Sequence, residues 1–145
     1  MRFVDTNVLL YVVSTNPLER AKASPAVAIL NESDDTGEDG GLALSVQVLQ
    51  EFYVQSTRRT RDGALTHEQA ANLIEAFLRF RVQENTLELM RAALASSRRF
   101  QISYWDASII EAARLAGCRV LLSEDLNDGQ DYGGVRVWNP FSLGA

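Results

Sequence analysis

One cysteine, one histidine and a single lysine are all that 145 residues carry of three chemically versatile side chains. The lone Cys118 excludes an intramolecular disulfide framework and fits a reducing, cytoplasmic setting. Lying between Gly117 and Arg119-Val120-Leu121-Leu122, it reads as a small buried hydrophobe. His67 stands beside Glu68 at the start of a predicted helix, away from every candidate acid, so a histidine base and triads built on one are not expected. Long apolar runs are missing too. Val8–Val13 spans six residues, far short of the ~20 that cross a membrane. Asp5 interrupts the only stretch that could serve as a signal peptide. An excess of positive charge is absent: the formal net charge is −5, which excludes general coating of nucleic acid and leaves contact that is local or cation-mediated.

What is present describes one soluble domain over residues 1–145, 46% hydrophobic and 23% charged, enough for a core without covalent staples. No internal repeat or low-complexity tract occurs. Strands are predicted at Phe3–Asp5, Leu42–Ser45, Val120–Ser123 and Val135–Trp138, with a weaker one at Arg81–Gln83. Helices are predicted at Val8–Val13, Leu18–Leu30, Val46–Arg58, Thr66–Phe80, Leu87–Arg99 and Tyr104–Ala116. Thr66 and Gln69 have capping-box spacing, and Gly117 ends the last helix. Asn31–Gly41 is acidic, glycine-bearing and devoid of apolar residues, so it reads as a surface loop. Short strands alternating with helices imply parallel pairing through right-handed crossovers. The expected fold is a three-layer α/β/α sandwich around a mainly parallel sheet of four to five short strands.

The acids carry the chemistry. Asp5 ends the short apolar run from Phe3, at a strand exit, where open α/β sheets place their ligands. Asp125 repeats that arrangement after Val120-Leu121-Leu122-Ser123-Glu124, with Glu124 expected to point the other way. Asp106 falls on the apolar side of its helix with Trp105, Ile109, Ile110 and Ala113, opposite a polar side of Ser108, Glu111 and Arg114. A carboxylate facing the core costs several kcal/mol unless paired or bound to a cation. The spacing from Ser103 also allows Asp106 to be a capping residue, and the two roles are compatible. Glu51 shares a face with Gln47 and Gln55, which alone suggests a solvated side. It lies near enough to the start of its helix to reach over the sheet's end. Asp128 sits in Asn127-Asp128-Gly129, good turn chemistry, so a structural role competes with a ligand role. Arg58, Arg59 and Arg61 form one basic group and Arg98 and Arg99 another, either solvated helix ends or contacts to phosphate.

In their order and spacing, Asp5-Thr6-Asn7, Glu51, Tyr104-Trp105-Asp106-Ala107 and Ser123-Glu124-Asp125 resemble the PIN-domain nucleases, and more closely the VapC-type toxins of type II toxin–antitoxin pairs. The tail adds Leu126, Asp128-Gly129-Gln130, Tyr132, Gly134-Val135 and Asn139-Pro140-Phe141. The resemblance implies a metal-dependent endoribonuclease with Asp5, Glu51, Asp106 and Asp125 as its acidic quartet. It also implies a homodimer inhibited by a cognate VapB-type antitoxin. Four carboxylates prefer hard cations, Mg2+ or Mn2+, and a cation lowers the pKa of a water and stabilises the leaving oxygen of an in-line displacement. Thr6, Asn7 and Ser123 are the expected auxiliary residues, with Asp128 a further candidate, and the five arginines are candidates for the RNA backbone.

Three rivals stand beside this reading. A phosphatase or phosphotransferase that uses Asp5 as nucleophile wants a second Asp two residues on, where Asn7 stands, and a downstream lysine. A receiver domain wants a lysine after a late strand, and Lys22 is in an early helix. A catalytically inactive PIN-like binding module is opposed by the intact quartet.

Overall fold

The computed structural model describes residues 1–32 and 41–142. The first two residues of the predicted surface loop, Asn31 and Glu32, extend α2, and its acids Asp34, Asp35, Glu38 and Asp39 lie outside the described residues. Five strands, β1 (Arg2–Val4), β2 (Leu42–Ser45), β3 (Arg81–Gln83), β4 (Val120–Leu122) and β5 (Arg136–Trp138), form one sheet in the order β3-β2-β1-β4-β5. Every pairing within it is parallel. Among the described residues, six helices accompany it: α1 (Thr6–Val12), α2 (Arg20–Glu32), α3 (Val46–Ser56), α4 (His67–Phe77), α5 (Leu87–Phe100) and α6 (Tyr104–Leu115).

The order defines the layers. The chain steps from β1 to β2 to β3 in one direction, then returns past β1 to β4 and β5. Right-handed crossovers therefore put α1 to α4 on one face and α5 and α6 on the other. Contacts agree: α1 packs on α2 and α3, while α6 packs on α5 and against β2, β3 and β4. The direction reverses between β1 and β4, and the carboxyl ends of those two strands carry Asp5 and Ser123-Glu124-Asp125. The crevice at such a reversal is where open α/β sheets bind ligands. The last crossover has no helix. A loop joins β4 to β5, held by the Tyr132 amide to the Val135 carbonyl at 2.8 Å and by an antiparallel bridge between Asp131 and Arg136.

The central strands are apolar and almost wholly buried, with Phe3, Ala43 and Leu121 at 0% exposure, as expected of a parallel sheet covered on both faces. Helix starts follow the sequence. Ser45, Thr66, Thr86 and Ser103 each accept a hydrogen bond from a backbone amide of the first turn, and Thr66 with Gln69 completes the predicted capping box. Asn16 caps a single 3-10 turn at Pro17–Glu19, so α2 starts later than expected and carries Pro25 inside it.

The two sides of α6 differ from the periodicity reading. Ser108 and Glu111, expected outside, are buried, and Trp105, expected inside, is 65% exposed. The helix is sandwiched between the sheet and α5, so its polar stripe is covered as well. Glu111 is satisfied there by the Ser96 hydroxyl and by the Arg114 guanidinium at 2.9 Å. Cys118 is buried, and burial pushes its thiol up to about 11, which suits a packing role. No helix of the described residues is long and apolar enough to cross a membrane.

Candidate active site

A cleft of about 280 Å3 opens at the reversal point, and Asp5, Glu51, Asp106 and Asp125 all line it. Four different pieces of chain deliver them. Asp5 is the N-cap of α1 at the end of β1, Glu51 lies in the second turn of α3, Asp106 in the first turn of α6, and Asp125 follows β4.

Asp5 is the most constrained. Its Oδ1 accepts the Thr6 amide at 2.7 Å, which starts α1, and its Oδ2 accepts the Ser123 hydroxyl at 2.7 Å. Burial raises its carboxyl to about 6; the hydrogen bonds from Ser123 and Thr6 oppose the rise, and the charges of Asp125 and Glu51 add to it. A raised aspartate beside two other acids in a cleft marks a candidate functional site.

Asn7 is the hub between the strand exits. Its side-chain amide donates to Asp125 Oδ2 at 3.1 Å and to Ser123 Oγ at 3.2 Å, with a longer approach to Asp5 Oδ2 at 3.5 Å. Its Oδ1 accepts the Glu124 amide at 3.4 Å. Ser123 Oγ also accepts the Asp125 amide at 3.1 Å. Asn7 and Ser123 are both buried, so these bonds hold the carboxylates of β1 and β4 in one arrangement.

Glu51 is fixed from two sides. The Thr6 hydroxyl donates to its Oε2 at 2.7 Å, and Gln47 Nε2 donates to its Oε1 at 3.0 Å. The face shared with Gln47 and Gln55 thus turns to the cleft and not to bulk water; Gln55 lines the cleft, and Gln47 is buried. For Asp106, Ser103 Oγ accepts the Asp106 amide at 3.1 Å and caps α6. The return bond of a capping box is not made, which leaves the Asp106 carboxylate half-buried on the cleft wall. Burial and the charge of Asp106 both raise the phenol of Tyr132.

The other candidates separate by position. Arg61 lines the cleft and donates to the Leu10 carbonyl at 3.4 Å. Arg58 and Arg59 are exposed just beyond α3. Arg98 and Arg99 occupy the last turn of α5, with Arg99 over the Phe100 ring. Asp128 accepts the Asn139 amide at 2.8 Å and is not part of the cleft wall. His67 is exposed, with Nδ1 2.9 Å from the Tyr53 hydroxyl.

The sequence assigned no role in the site to Gln47, Tyr11 or Glu124. Gln47 was visible as the residue one turn before Glu51. Glu124, expected to point away from Asp125, pairs with Lys22 at 2.9 Å and accepts the Tyr11 hydroxyl, yet it still reaches the cleft wall. Among the described residues, no three His, Cys, Asp or Glu side chains converge closely enough to cage one ion.

The PIN domain family profile matches residues 2–127, so the chain belongs to the PIN domain family. Solved structures share its fold. VapC20 of Mycobacterium tuberculosis, a toxin that cleaves the sarcin–ricin loop, is 20% identical with a TM-score of 0.62, over 86% of this chain and 92% of that one. A toxin–antitoxin complex from Klebsiella pneumoniae is 17% identical with a TM-score of 0.67, over 99% and 100% of the two chains. The structure of FitAB bound to an IR36 DNA fragment is 18% identical with a TM-score of 0.67, over 100% and 99%. No curated protein matches the chain.

Proposed function

We propose that this PIN domain is an endoribonuclease dependent on Mg2+ or Mn2+, acting as the toxin of a toxin–antitoxin pair. The observation that carries the reading is the delivery of Asp5, Glu51, Asp106 and Asp125 by four separate elements to one cleft. Two of these acids are tied through the buried Asn7 and Ser123.

The donor set fits a hard divalent cation. Asp5, Glu51, Asp106 and Asp125 offer only oxygen, and Asp5 ionises with difficulty because it is buried beside like charges. Mg2+ is usually bound through one or two carboxylates plus waters and substrate phosphates, so a wall of acids without a closed cage suits it. When bound, the cation supplies Lewis acidity toward water and the phosphodiester. The chain's own groups do the rest. Thr6 and Gln47 fix Glu51, Asn7 and Ser123 set the spacing of Asp5 and Asp125, and Arg61 offers a cation at the rim for a phosphate. Arg58 and Arg59 are exposed just past the end of α3, and Arg98 and Arg99 belong to the far end of α5.

The similarity to a toxin–antitoxin complex supports a VapB-type antitoxin as partner; that it covers the cleft, and that the working assembly is a homodimer, are parts of the proposal. The test is cleavage of single-stranded RNA by the purified wild type, Asp5→Ala and Asp106→Ala proteins with Mg2+ or Mn2+ and after chelation. Cleavage by the wild type alone, and only with metal, is the expected result. Cleavage that survives exhaustive chelation overturns the metal mechanism, and full activity of Asp106→Ala removes that residue from the site.

A further inference from the structure

A second depression adjoins the acidic cleft and shares Trp105 with it. It measures about 370 Å3, within the range of small-ligand sites, and Gln50, Asn85, Met90, Tyr104 and Trp105 are among the residues on its wall. Among the described residues, no charged side chain contributes to that wall, in contrast to the acids next door. Trp105 is 65% exposed, an unusual position for so large an apolar ring. Its indole meets the Tyr104 ring edge-on, with centroids 5.1 Å apart. Its carbonyl accepts Gln47 Nε2 at 3.4 Å, the same amide that donates to Glu51. The platform is therefore tied to one acid of the cleft through a buried side chain and is followed in sequence by another, Asp106.

We propose that this groove is a nucleobase subsite, in which a base of single-stranded RNA next to the phosphodiester in the acidic cleft stacks on Trp105. The proposal rests on the nuclease reading and names where the substrate's base is held. A nucleotide divides into an anionic phosphodiester and an uncharged planar base. The surface divides the same way, into a cation-ready acidic cleft and an uncharged groove, with the indole at their seam. Unstacked RNA bases are commonly held on aromatic rings and read at their edges by hydrogen-bonding side chains. Asn85 and Gln50 each bring a donor and an acceptor to the groove. The amides on the wall and the continuity with the cleft favour a base over a protein side chain here.

The test uses the Trp138→Phe protein, in which Trp105 is the only tryptophan, mixed with a short single-stranded oligoribonucleotide in Mg2+. Stacking predicts rapid quenching of indole fluorescence, and an abasic oligonucleotide set locates the base responsible. Trp105→Ala should raise KM roughly 5- to 100-fold with little change in kcat, and Trp105→Phe should restore most of the affinity. An unchanged KM in Trp105→Ala, or no quenching while the protein cleaves, overturns the subsite. A fall in oligomer mass for Trp105→Ala at unchanged KM overturns it in favour of a protein interface. Quenching by RNA in a protein that never cleaves keeps the subsite and rejects the nuclease reading, whereas no quenching and no cleavage reject both.

Discussion

Ser123 Oγ donates to Asp5 Oδ2 at 2.7 Å, joining residues that lie at the exits of two adjacent parallel strands. The same oxygen accepts the Asp125 amide and the Asn7 side chain. One buried hydroxyl thus ties the Asp5 carboxylate to the backbone of Asp125. Ser123→Ala should lower divalent-cation affinity and cleavage by roughly 10- to 100-fold while the circular dichroism spectrum stays the same. Calorimetric titration with Mn2+ checks it; unchanged affinity would remove Ser123 from the site's support.

Asn7 donates where an aspartate would repel. Asn7→Asp places a further negative charge against Asp5 and Asp125 and removes the amide that links them. Thermal melts without metal at pH 7 should show a loss of about 1–3 kcal/mol, the cost of losing buried hydrogen bonds. Added Mn2+ should recover part of it. A variant as stable as the wild type without metal would show that the link between the strand exits is not a constraint.

These relationships explain which parts of the molecule were legible in the chain. The parallel order and the strand exits at Asp5 and Asp125 follow from short apolar runs that end in acids, a local signal. The capping of α4 by Thr66 and Gln69 was equally local. The orientation of α6 was not, because its polar stripe is buried by α5 and satisfied by Ser96, a partner fifteen residues away in sequence. Glu51 was ambiguous for the same reason: only the fold shows that its face meets Thr6 of α1. Trp105 looked like core because periodicity cannot tell where a helix projects past the sheet.

Glu111 supplies a control for the difference between structure and chemistry. It is buried, bonded to Ser96 and Arg114, and lies outside the cleft. Arg114 in turn donates to the Tyr132 carbonyl at 2.6 Å, anchoring the β4–β5 loop. Breaking a buried ion pair costs ~3–5 kcal/mol; Arg114 is 34% exposed, so Glu111→Ala should cost less, about 2–3 kcal/mol. Urea denaturation measures that loss, and the cation affinity of the folded fraction should remain at the wild-type level. A large loss of affinity with no loss of stability would contradict the assignment.

Asp5 makes the site sensitive to pH in a direction opposite to that of a salt-bridged carboxylate. Its folded pKa is raised, by burial above all, to about 6, above the 3.8 of a free aspartate. Between those values the folded chain holds more protons than the unfolded one, so metal-free stability falls as pH rises through that window. The full effect is on the order of 3 kcal/mol, present at low pH and lost above about 6. Cation binding needs the ionised form, so affinity moves the other way and should be roughly tenfold weaker at pH 5 than at pH 7. Denaturant titrations at pH 5 and 7, with and without Mg2+, separate the two effects. The stabilisation by metal should be larger at pH 7, and Asp5→Asn should flatten both pH dependences. A metal-free protein that gains stability from pH 5 to pH 7 through Asp5 would mean that its carboxylate is ionised and paired, and that it does not await a cation.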